Sequence, residues 1–149
     1  MRILGLDYGS KTVGVALTDE TETIASPFET IFRKEENKLR RTLARIKEIA
    51  DEYGVSEVVL GYPVRLNGCE SAQTEKTLAF KALLEKRLQK EVALMDERLT
   101  TLEAEEVLTE LGVPKREQKR HIDAIAASII LKDYLARKKE ESQNGTDRI

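Results

Sequence analysis

The chain has 149 residues, 40% hydrophobic and 35% charged, with a formal net charge of −2. This suits one globular domain with its own core and excludes a disordered chain. It also excludes a globally basic nucleic-acid binder while leaving a local basic face open. The single Cys69 rules out an internal disulfide and fits a reducing compartment, so a cytoplasmic location is expected. No run is long and apolar enough to span a membrane, and Arg2 is followed by a short strand rather than a signal-peptide core, so no membrane partner is expected.

The opening, "ILGLDYGSKTVGVALTD", reads as a hairpin. Ile3, Leu4 and Leu6 suit a strand buried on both faces, Gly9 and Ser10 suit the turn, and Val13, Val15 and Leu17 alternate along a second strand. A third strand is expected over Ile24 to Phe32, with Pro27 marking an edge or a break. Then the period changes. Leu39, Leu43, Ile46, Ile49 and Ala50 recur at helical spacing from about Glu36 to Tyr53, and Gly54 stops the helix. A strand from Glu57 to Gly61 and a loop from Pro63 to Ser71 follow; Asn67-Gly68 is a turn signal. Cys69 sits in that loop without a recognisable base, so it has no expected role.

A second helix is expected over Ala72 to Gln89, with Leu78, Leu83, Leu84 and Leu88 as its apolar stripe. "EVALMDE" is a strand. Thr100 to Glu103 forms a capping-box pattern opening a helix to Leu111, which Gly112 ends. A last helix is expected over His121 to Lys139, with Ile122, Ile125, Ala126, Ile129, Ile130 and Tyr134 facing inward. The division is one domain over residues 1–140 and a flexible polar tail over 141–149. A meander followed by alternating strands and helices implies an α/β fold: a mixed sheet with helices packed on it.

In open sheets of this kind, sites gather at the carboxyl ends of the strands. Asp7 ends the first strand, Asp96 ends "EVALMD", and Asp123 opens the last helix beside Ala124, Ala126 and Ala127, small residues that allow close packing. A buried acid is costly unless it is paired or holds a metal. Three converging carboxylates repel one another unless a cation neutralises them. Oxygen-only ligands select a hard ion, Mg²⁺ or Mn²⁺. Two such ions about 4 Å apart would clamp both oxygens of a phosphodiester displacement. Each acid has a plainer reading: Asp7 as a turn cap, Asp96 as an ion-pair partner of Arg98, Asp123 as a favourable charge at a helix start. Glu97 rivals Asp96, although alternation along the strand points the two to opposite sides. His121 reads as a solvated helix-start residue.

Four segments together, "GLDYGSKTVGVALTD", "VVLGYPVRLNG", "DERLTTLEAEEVL" and "IDAIAASIIL", resemble the YqgF/RuvX family. Its members are RNase H-like proteins described as Holliday junction resolvases and as nucleases of ribosomal RNA precursors. The resemblance runs from Arg2 to about Tyr134. It implies a five-stranded mixed sheet flanked by helices, and an acidic triad carried by Asp7, Asp96 and Asp123. The loop departs from the family pattern: Gly61-Tyr62-Pro63 and Asn67-Gly68-Cys69 stand where Gly-Leu-Pro and Asp-Gly-Ser are usual. That puts a substrate contact of the loop in doubt and leaves the triad intact.

Further roles follow for substrate binding. Gly9 and Ser10 let the backbone approach a phosphate and Lys11 adds a charge. Arg98 suits bidentate grip of a phosphate, and Lys119 either pairs with Asp123 or touches substrate. Arg33, Lys34, Lys38, Arg40, Arg41, Arg45 and Lys47 form a candidate phosphate-facing patch, against the plainer reading of a solvated helix face. Aromatic platforms are few, Tyr8 and Tyr62, which favours backbone and shape recognition. The expected activity is metal-dependent endonucleolytic cleavage of structured nucleic acid, a four-way DNA junction or a ribosomal RNA precursor, by a monomer or weak homodimer. The alternatives are a non-catalytic binding module of the same fold and a sugar-kinase-like phosphotransferase. The latter lacks support, because the chain is short and has no second phosphate loop.

Overall fold

A computed structural model describes residues 1–63, 72–97, 100–118 and 121–147. Strands β1 (Arg2–Tyr8), β2 (Thr12–Thr18) and β3 (Ala25–Phe32) form an antiparallel meander. Helix α1 (Arg40–Glu52) leads to β4 (Val55–Pro63), and α2 (Ala72–Leu88) leads to β5 (Val92–Glu97). Both later strands join in parallel, giving one five-stranded mixed sheet in the order β3-β2-β1-β4-β5. Helices α3 (Thr100–Glu110), α4 (Lys115–Gln118) and α5 (Ile122–Asp147) close the chain. The sheet and its flanking helices are those expected from the changes of period along the sequence. β3 is an edge strand, and the ladder shifts register between Val15 and Ala16, where Pro27 meets Ala16.

The sheet's two faces are packed differently. On one, Leu4, Leu6, Val13, Val15 and Leu60 meet Ile46 and Ile49 of α1 and Phe80 and Leu84 of α2. On the other, Ile3, Ala16 and Val59 meet Ala127, Ile130 and Leu131 of α5. Here the helix comes unusually near. A Cβ on Gly5 would lie 2.9 Å from Leu131 Cβ, and one on Gly14 would lie 1.8 Å from the Asp123 carbonyl oxygen.

Several expectations need correction. The stripe of α2 runs through Thr77, Phe80, Leu84 and Leu88, whereas Leu78 and Leu83 are exposed. Any leucine is apolar, but only one helical face reaches the sheet. On α5 the buried residues are Ala124, Ala126, Ala127, Ile130 and Leu131; Ala126 and Ile130 are as expected, whereas Ile122, Ile125 and Ile129 are only half-buried. α5 is helical to Asp147, past the end expected at Lys139. The short α4 was not expected. Pro114 opens it by accepting from the Glu117 and Gln118 amides, and the buried Gln118 side chain donates to the Val113 carbonyl at 3.0 Å. Most of the Pro63–Ser71 loop, Cys69 included, lies outside the described residues.

Candidate active site

Asp7 sits near the carboxyl end of β1, opposite Gly14 of β2, and only 8% of it is exposed. Alternation assigns it to the α5 face, with Ile3 and Gly5 before it. Gly14 is the reason Asp123 is nearby: the missing side chain lets the first turn of α5 rest on β2 beside Asp7. Thr12, two residues before Gly14 on the same face, donates its hydroxyl to Asp123 Oδ2 at 2.5 Å. Two acidic residues far apart in sequence thus both border Gly14, one as its ladder partner on β1 and one at the start of α5. Thr12 and Gly14 escaped the sequence reading. The available signal was β2's alternation, which puts Thr12, Gly14 and Ala16 on one face.

Asp96 is placed differently. It ends β5, two strands from β1, and pairs in register with Tyr62. Its parity is that of Leu94, which packs on the α1/α2 face. By register, Asp96 therefore belongs to the sheet face opposite Asp7, and it is exposed. The next position, Glu97, ends the ladder opposite Pro63. Among the described residues, no group of three His, Cys, Asp or Glu side chains is assembled for a metal. Arg98 and Lys119, expected to touch substrate, lie outside the described residues. His121 is exposed and immediately precedes α5, as expected of a helix-start residue.

The turn after Asp7 is held by a residue expected to face phosphates. The Arg33 guanidinium donates from Nη2 to the Gly9 and Ser10 carbonyls at 2.6 and 2.9 Å and from Nε to the Glu36 carbonyl at 3.0 Å. It also lies over the Tyr8 ring, 5.0 Å from the centroid, and Tyr8 stacks on Phe80 at 4.3 Å. Lys11 stays exposed at the tip of this turn. The rest of the basic segment divides. Arg45 grips Glu29 with two hydrogen bonds, at 2.7 and 3.0 Å, and also pairs with Glu48 at 2.7 Å. Lys38 pairs with Glu35 and Lys47 with Asp51. Lys34, Arg40 and Arg41 are exposed and form no ion pair among the described residues.

The fold has counterparts among solved structures. T. thermophilus RuvC in complex with a Holliday junction substrate superposes with a TM-score of 0.59, at 15% identity, covering 93% of this chain and 96% of that one. The fowlpox virus Holliday junction resolvase gives 0.55, at 17% identity, covering 92% and 99%. The architecture is therefore the RNase H-like one of such resolvases. A match to the family described as "RuvX: Holliday junction resolvase" spans residues 1–137, and the chain belongs to that family of nucleases. A relative from Lachnospira eligens, named "Putative pre-16S rRNA nuclease", is 51% identical over 140 residues, covering 94% of this chain and all of that protein. Another of the same name, from Syntrophus aciditrophicus, is 46% identical, covering 91% of this chain and 88% of its own. No helix among the described residues is long and apolar enough to cross a membrane.

Proposed function

We propose that the chain is a divalent-metal-dependent endonuclease that hydrolyses a phosphodiester bond in structured nucleic acid, acting on a ribosomal RNA precursor at the 5′ end of 16S rRNA. The observation that carries this reading is that Asp7 and the start of α5, with Asp123, both lie against Gly14. The precursor is preferred to a four-way DNA junction because relatives at 46–51% identity bear the precursor-nuclease name, whereas the junction-bound RuvC shares the fold at 15%.

The donor set fits a hard cation. Asp7 and Asp123 supply carboxylate oxygens from one face, and β5 ends on two further acids, Asp96 and Glu97. The third ligand comes from this strand end: Asp96, as the resemblance implies, or its neighbour Glu97. A bound Mg²⁺ or Mn²⁺ supplies an activated water and charge stabilisation of the leaving oxygen. The chain's own groups do the positioning. Thr12 orients the Asp123 carboxylate. Gly9 and Ser10 let the backbone approach the phosphate, Lys11 neutralises it from the turn, and Arg98 and Lys119 complete the grip. This work is assigned to the cytoplasm, to a monomer or weak homodimer.

The test is cleavage of a 5′-extended 16S precursor and a four-way DNA junction, side by side, with Mg²⁺ or Mn²⁺. Precursor cleavage should vanish in EDTA and in Asp7→Asn, while the variant still binds RNA. Cleavage by Asp7→Asn at the wild-type rate would make Asp7 a turn cap. A wild-type chain that binds without cutting would be a binding module.

A further inference from the structure

A groove of about 480 Å³ opens between the start of α1 and α2, a volume in the range of small-ligand sites. Its lining combines apolar Tyr8, Leu39 and Leu83 with polar Asn37 and the ion-paired Glu36 and Lys76. Tyr8 directly follows Asp7, so the groove adjoins the catalytic edge of the sheet, on the opposite face from Asp123. Arg33 ties the two regions together, because one guanidinium binds both the turn after Tyr8 and the Glu36 carbonyl at the groove's rim.

Two features of the groove are unexplained by folding. Leu83 is 42% exposed, although α2 already buries a complete stripe on its other side. Beside the groove, Leu39 is followed by Arg40 and Arg41, which lie outside the groove's lining, in the first turn of α1, which contains no acid and has no side-chain cap. Cations there oppose the helix dipole, so helix stability does not account for them. With Lys34 they make three exposed cations free of ion pairs among the described residues, whereas Lys38, Arg45 and Lys47, in the same segment, are paired.

We propose that this groove receives one unpaired nucleotide of the substrate, its base against Leu39 and Leu83 and its flanking phosphates on Lys34, Arg40 and Arg41. The inference rests on the nuclease reading above and adds to it a preference for a strand that leaves the duplex beside the cut. Apolar walls, with unpaired cations on the chain next to them, match the two chemistries of a nucleotide, an apolar base face and an anionic backbone. The exposed Asn37 amide at the rim is suited to the base's polar edge.

The experiment measures binding of the full chain to two labelled RNA hairpins, one blunt and one with a short single-stranded extension, without divalent metal so that nothing is cut. DNA versions of both probes show whether the ribose matters. The wild type should bind the extended hairpin more tightly, by at least about fivefold. Leu83→Gln should erase that preference and leave the blunt affinity unchanged. Arg40→Gln and Arg41→Gln should each lower the slope of log affinity against log salt by about 0.7 on the extended probe. Should Leu83→Gln fail to fold by circular dichroism, Asn37→Ala takes its place, with a reduced preference expected. Equal affinity of the wild type for blunt and extended probes would overturn the subsite, as would a preference that survives in the folded groove variant. The two readings fail separately. A preference without any cleavage activity removes the nuclease reading alone, and cleavage without a preference removes the subsite alone.

Discussion

The two faces of the sheet solve the packing problem in opposite ways. Against α1 and α2, large side chains interdigitate: Leu4, Leu6, Phe80, Leu84, Ile46 and Ile49 are all but fully buried. Against α5, glycine and alanine thin the layer until backbone rests on side chain at Gly5 and backbone on backbone at Gly14. The first face stabilises by apolar area. The second gives up area for proximity, and that proximity sets the start of α5, with Asp123, beside Asp7. On the proposed function, stability and metal chemistry thereby fall to different sides of one sheet.

The contrast breaks first at a large core residue. Leu84→Ala should cost about 2–5 kcal/mol in urea unfolding, the usual loss for a buried leucine, while the molecules that remain folded cleave at the wild-type rate. On the other face, Gly14→Ala should cost about 3 kcal/mol or more, because a Cβ there would lie 1.8 Å from the Asp123 backbone and only a tilt of α5 away from the sheet relieves it. Its cleavage should also fall to background, since the tilt carries Asp123 away from Asp7. If Gly14→Ala cleaves normally, the close approach is mere packing.

The smallest effect concerns pH. Glu57 of β4 is partly desolvated, which alone would raise its pKa, but hydrogen bonds from Lys138 and Tyr134 of α5 outweigh this and hold it below the ordinary 4.5. A lowered folded-state pKa contributes stability that is fully present above the unfolded value and is lost as pH falls through the folded one. Acid titration of stability should therefore show a loss beginning below about pH 4.5. Glu57→Gln should be less stable than wild type at neutral pH and converge with it in acid. A constant difference at all pH values would remove Glu57 from the acid response.

Much of this was legible in the sequence because the signals are local. Strand alternation, the helical recurrence in Leu39 to Ala50 and the stops at Gly54 and Gly112 depend only on near neighbours, and the sheet expected from them is the one observed. What stayed hidden depends on contacts between distant residues. Arg45 looks like a phosphate ligand until Glu29, sixteen positions earlier, is seen to hold it. Arg33 looks like one until the β1–β2 turn folds onto its guanidinium. Phe80 is no more apolar than Leu83; only the direction in which α2 faces the sheet separates them. At the candidate site, the placement of Asp7 at a strand end and of Asp123 at a helix start could be read locally, whereas the placement of Asp96 on the opposite face depends on the β4–β5 register, which no local pattern encodes.

The central claim is that Asp7 and Asp123, joined across Gly14, hold one divalent cation between them. Calorimetric titration of Mn²⁺ into the wild-type chain, Asp7→Asn, Asp123→Asn and the double variant tests it most directly. The account predicts binding by the wild type and a comparable loss in all three variants, because ligands of a single ion act as a unit. Wild-type-like Mn²⁺ binding by either single variant, or no binding by the wild type, would contradict it.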